Sequence, residues 1–139
     1  MSEQQVPEPM TQEERTAWVR EQFQRANKHL AENGVLYDSV ITSESRYLVP
    51  YVALWKIKAL DNKQYWVMSG DLPVDFTLSD NAATARDAIK FFAMHWQLKA
   101  ENIRQGQGSD DTQLAFANLL QSRAESLFSM QAEDQLWQQ

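Results

Sequence analysis

The chain has 139 residues, with 13 Lys or Arg against 19 Asp or Glu, a formal net charge of −6 and no cysteine. That length fits one domain, which buries roughly two-thirds of the surface its unfolded chain exposes. The missing cysteines exclude a disulfide framework, a thiolate zinc site and a cysteine nucleophile, and the acid excess argues against nucleic acid, whose phosphates call for a basic surface.

The opening MSEQQVPEPM has no basic n-region and no apolar h-region, so it does not read as a signal peptide. No apolar run approaches the roughly 20 residues that span a bilayer. The expectation is a soluble, cytoplasmic protein with no membrane partner. Residues 1–10 are expected to be a disordered tail, 11–130 a single domain, and 131–139 a Gln-rich tail in which Leu136 and Trp137 are the residues able to dock.

Thr11 and Glu14 have the form of a capping box. Val19, Phe23, Ala26 and Leu30 follow at helical spacing, and Asn33-Gly34 is a stop, which predicts a helix over residues 12–33. Val35 to Leu48 is ambiguous between a short strand and a packed loop. From Tyr51 the period is two: Ala53, Trp55, Ile57 and Ala59 point one way, and Val52, Leu54, Lys56 and Lys58 the other. Asp61-Asn62 turns the chain, and Gln64 to Ser69 returns as a second strand. Two strands alone are marginal, so a third is expected from Val35–Ile41 or Val74–Leu78.

Ser79 or Asp80 is the expected cap of a long second helix with the stripe Ala85, Ile89, Phe92, Trp96, Lys99 or Ala100, and Ile103. Gln105-Gly106-Gln107-Gly108 reads as a connector. Ser109, Asp110 or Asp111 then caps a third helix with the stripe Leu114, Ala117, Leu120, Ala124 and Leu127. The class is α+β: a small antiparallel sheet built on a central β-hairpin, in the order α-β-β-(β)-α-α, with about three helices packed on one of its faces.

The segments SRYLVPYVALWKIK, YWVMSGDLPVD and HWQLKAENI resemble blocks of a small bacterial family known as a domain of unknown function. The resemblance spans nearly the whole chain and is most specific at the block from Ser69 to Asp75. It implies a soluble bacterial protein and carries over no catalytic residue, no cofactor and no metal.

Candidate chemistry centres on Ser69-Gly70-Asp71-Leu72-Pro73-Val74-Asp75. Asp71 and Asp75 at the open end of a strand are two carboxylates suited to a cation or to proton transfer. The simpler reading is a turn in which Gly70 supplies an unusual backbone angle and Pro73 sets the exit. Arg46 is a planar fork able to clamp a carboxylate or phosphate with Tyr47 beside it. Its favoured role is an internal pair with Asp71 or Asp75. His95, beside Trp96, is the remaining titratable candidate, and a semi-exposed helix histidine is its plainer reading. Together Arg46, Asp71, Asp75 and His95 form the candidate ligand site.

If Tyr65 and Val67 face inward on the second strand, Trp66 and Met68 face the other way with Leu54. That face is either covered by a helix, as this fold requires of a sheet, or exposed; exposed, Leu54, Trp66, Met68 and Leu72 form an interaction surface. Two functions follow. One is a non-catalytic domain that binds another protein or a second copy of itself; the other is a small enzyme or ligand-binding domain using Asp71, Asp75 and Arg46. With neither a nucleophile elbow, a metal set nor a phosphate loop in the sequence, the first leads.

Overall fold

The computed structural model describes residues 10–106, 108 and 110–138. The expectations for residues 1–9, for Gln107 in the connector and for Ser109 as a cap lie outside the described residues.

The first helix, α1, runs Gln12–Glu32 and starts on the expected capping box: Thr11 Oγ1 accepts from Glu14 N, and Glu14 Oε1 accepts from Thr11 N. Asn33 closes it, its side-chain amide donating to His29 O at 2.8 Å. Five strands follow: β1 (Tyr37–Val40), β2 (Arg46–Leu48), β3 (Val52–Ala59), β4 (Gln64–Gly70) and β5 (Asp75–Leu78). All pair antiparallel, with β3, β4 and β5 in series. Both β1 and β2 lie along the free edge of β3, β1 against Ile57–Ala59 and β2 against Val52–Leu54. Both candidate third strands therefore form, and the ambiguous stretch supplies two strands instead of one.

One 3-10 turn (Ser79–Asn81) leads to α2 (Ala85–Gln105), and α3 is Asp111–Ala132. Thr84, not Ser79 or Asp80, caps α2, its hydroxyl accepting from Asp87 N at 3.1 Å. Asp110 caps α3 in a box with Gln113. The fold is α+β as expected.

The helices do not share one face of the sheet. Ala53, Trp55, Ile57, Tyr65 and Val67 pack against Ala26 and Leu30 of α1. Val52, Leu54, Trp66 and Met68 pack against Ile89, Phe92 and Trp96 of α2 and Leu120 and Leu127 of α3. The sheet is the middle of three layers. The reason is legible in β3 and β4, which carry large apolar side chains at successive positions: two apolar faces need two covers. Even Lys56 is buried, its amine 4.6 Å from the Trp66 ring centroid and 3.1 Å from Glu44 Oε1. Fully burying one large apolar side chain contributes roughly 1.5–3 kcal/mol, and Trp66, Trp96, Phe92 and Met68 all lie inside.

Polar atoms inside are matched. Trp55 Nε1 donates to Ser69 Oγ at 3.1 Å, and Ser69 Oγ donates to Gln22 O at 3.1 Å, which ties α1 to β4. Trp66 Nε1 donates to Ala82 O at 2.8 Å. After α3 a second 3-10 turn (Asp134–Trp137) folds back: Trp137 Nε1 donates to Met130 O and Arg86 pairs with Asp134.

Candidate functional site

The SGDLP segment is a backbone-held turn. Gly70 has φ +145°, and a Cβ there would lie 2.3 Å from Tyr51 O. Asp71 N donates to that same carbonyl at 3.0 Å. Two arginines from opposite layers grip the turn by its carbonyls. Arg25 of α1 donates to Gly70 O and, at 3.2 Å, to Leu72 O; Arg123 of α3 donates to Asp71 O at 3.1 Å. Neither arginine was singled out from the sequence, where they are ordinary cations on amphipathic helices.

The four proposed ligand residues do not converge. Asp71 is exposed. Asp75 is half-buried, with Oδ2 accepting from Trp96 Nε1 at 2.8 Å and Oδ1 from Phe76 N at 2.8 Å. His95 is exposed and stacks on Phe91, the rings 5.8 Å apart and nearly parallel. Arg46 pairs with neither aspartate; the ion pairs among the described residues are Lys56–Glu44 and Arg86–Asp134. Among the described residues no group of three or more His, Asp or Glu is placed to hold a metal. The proposed apolar surface is corrected as well. Leu54, Trp66 and Met68 are 0% exposed because the α2–α3 pair covers them, and Leu72 is partly buried against the same cluster.

What the structure does assemble around Arg46 is a cleft of about 500 Å³ between the first turns of α1 and β2. Ser45, Arg46, Tyr47 and Val49 border it on the sheet side, and Gln12, Arg15, Thr16 and Val19 on the α1 side; pairing with Leu54 turns the Arg46 side chain toward the α2–α3 face, where Arg46 also borders a cavity with Ala83, Thr84 and Ala85. The antiparallel register sets Tyr47 opposite Ala53, so its ring reaches the α1 side and lies 4.8 Å from the Trp55 ring. Burial pushes the Tyr47 hydroxyl above its ordinary pKa. The Arg15 and Arg46 guanidinium groups make no hydrogen bond or ion pair among the described residues. Arg15 was missed in the sequence, although a cation this close to a helix N-terminus, where the dipole favours acids, is a signal of a role outside the helix.

The chain is a three-layer α+β domain with a cleft between α1 and the edge of its sheet. The chain belongs to the family described as Domain of unknown function (DUF4826), whose profile matches residues 12–137. No curated protein and no solved structure matches the chain. Among the described residues no helix is long and apolar enough to cross a membrane.

Proposed function

We propose that the protein is a non-catalytic binding domain whose site is the α1–β2 cleft, where Arg15 holds the carboxylate or phosphate of a ligand. The observation that carries this reading is the unpaired Arg15 guanidinium at a cavity that Tyr47 also lines, in a chain of net charge −6. Planar forks suit oxyanions, binding them through paired hydrogen bonds. Binding is favoured over catalysis by the other groups on the wall. Neither histidine nor carboxylate stands among them, and Ser45 Oγ is occupied, donating to Ile41 O at 3.0 Å and accepting from Lys56 N at 2.9 Å. The net negative charge of the chain disfavours a polyanion, which supports a protein or small-ligand partner over nucleic acid. The acidic composition and the bacterial resemblance support a cytoplasmic bacterial protein.

Thermal unfolding with inorganic phosphate and citrate tests this. A ligand at a hundred times its dissociation constant stabilises by about 2.7 kcal/mol, which raises the midpoint by several degrees in a domain of this size. The shift should vanish in Arg15→Ala and persist in Asp71→Asn. A shift equal in wild type and Arg15→Ala would remove the cleft as the site.

A further inference from the structure

The helix α2 is apolar on two faces, and only one of them is covered. Ile89, Phe92 and Trp96 lie in the core. On the outward side Phe91, Met94 and Leu98 follow at intervals of three and four residues, which sets them in one stripe. Met94 is 55% and Leu98 60% exposed, and Phe91 is half-buried with the exposed His95 ring stacked on it. Single exposed apolar side chains are ordinary on a protein surface, whereas a second stripe at helical spacing is the pattern of a helix covered on both sides. Two exposed charges border the stripe. Lys90 is four residues before Met94 and Glu101 three after Leu98, so both lie along it. Neither belongs to an ion pair among the described residues, and Glu101 Oε2 accepts from the neutral Gln105 amide at 2.7 Å.

We propose that this stripe is the contact between two copies of the chain, which pack α2 against α2 in antiparallel sense about a twofold axis. The inference is independent of the cleft. In this arrangement Met94 of one protomer meets the partner's Leu98, and Lys90 meets the partner's Glu101. Both pairs have their midpoint at residues 95–96, which is also the middle of α2 (Ala85–Gln105). One register therefore buries the apolar residues, matches the charges and overlaps the helices along their full length. That match is self-complementary, and the twofold repeats each pair, which selects a second copy over an unrelated helix. A parallel arrangement in register would set Lys90 against Lys90 and Glu101 against Glu101, at a cost in like-charge repulsion. The stripe brings far fewer than the roughly 20–30 residues a side of a standard interface. The dimer is accordingly weak and concentration-dependent.

Sedimentation velocity on the full chain, from about 10 µM to about 1 mM, tests it. A monomer–dimer equilibrium is expected, weakened by salt because the charge pairs lie at the surface. Leu98→Asp should abolish the dimer and keep the thermal midpoint measured at the lowest concentration, since the residue is 60% exposed. Lys90→Glu and Glu101→Lys should each weaken the dimer about tenfold by setting like charges opposite one another. An equimolar mixture of those two variants should associate as well as the wild type, because each copy then offers the charge that the other lacks. A monomer at every concentration would overturn the second copy and leave the stripe to a helix of another protein. A dimer indifferent to Leu98→Asp would overturn the stripe as the contact, and a mixture no stronger than its components would overturn the antiparallel register.

Discussion

Asp75 Oδ2 accepts a hydrogen bond from Trp96 Nε1 at 2.8 Å, joining the first residue of β5 to the middle of α2 across 21 positions of sequence. Its other oxygen accepts the amide of Phe76 at 2.8 Å. A carboxylate that looks catalytic in sequence is thus the partner of a buried indole. Asp75→Ala leaves the Trp96 N–H without its acceptor and should cost about 1–3 kcal/mol, the desolvation penalty of an orphaned donor. Asp75→Asn keeps an oxygen at that position and should cost clearly less. Urea unfolding of the two variants measures the difference; equal losses would dissociate Asp75 from Trp96.

Gly70 is where β3 and β4 approach too closely for a side chain. An added Cβ would sit 2.3 Å from Tyr51 O and 2.8 Å from Val52 Cα, both backbone atoms, at φ +145°. Gly70→Ala should lower stability by about 2–4 kcal/mol, combining backbone strain with overpacking. Gly34, also at positive φ but with nothing within 4 Å of an added Cβ, is the control. Gly34→Ala should lose only the strain of its backbone angle, read as a smaller fall in the urea midpoint.

Trp66→Ala separates a core role from an interface role. The side chain is 0% exposed and its indole donates to Ala82 O. The substitution should cost about 3–5 kcal/mol through the cavity it leaves. Sedimentation and calorimetry read the two outcomes: a lower midpoint at every protein concentration is expected, whereas unchanged stability with altered self-association would contradict the burial.

The β3–β4 turn carries a pH-dependent contact. Tyr65 Oη donates to Asp61 Oδ2 at 2.7 Å. That bond is the main reason the Asp61 carboxyl lies below its ordinary value, and it is also the main reason the Tyr65 hydroxyl lies above its own. The lowered carboxyl contributes stability above about pH 3.9 that is lost as pH falls through its folded value. The raised hydroxyl contributes below about pH 10, and that contribution is lost as pH rises through its folded value. Tyr65→Phe should move Asp61 back toward the ordinary carboxylate range, which carbonyl-carbon NMR titration reads directly.

The helices and the hairpin were legible because their causes are local. Thr11 with Glu14, the 3.6-residue stripes of α2 and α3, and the alternation from Val52 to Ala59 act within a few residues of themselves. The turn at Gly70 was legible for the same reason. The short strands β1 and β2 were less so, since their pairing depends on the free edge of β3 and not on their own propensity.

The site was decided by tertiary structure. Arg25 and Arg123 read as ordinary helix cations in sequence, yet both lie within hydrogen-bond reach of the SGDLP carbonyls. Arg46, expected to pair with Asp71 or Asp75, pairs with neither and lies on the edge strand. Which face of the sheet a helix covers, and which arginine is left unpaired, are set by contacts between residues tens of positions apart. Local periodicity carries no information about those contacts. This sequence by itself therefore determined the elements and the α+β class, and the packing of α1 against one face and α2–α3 against the other buried Trp66 and opened the cleft at Arg46.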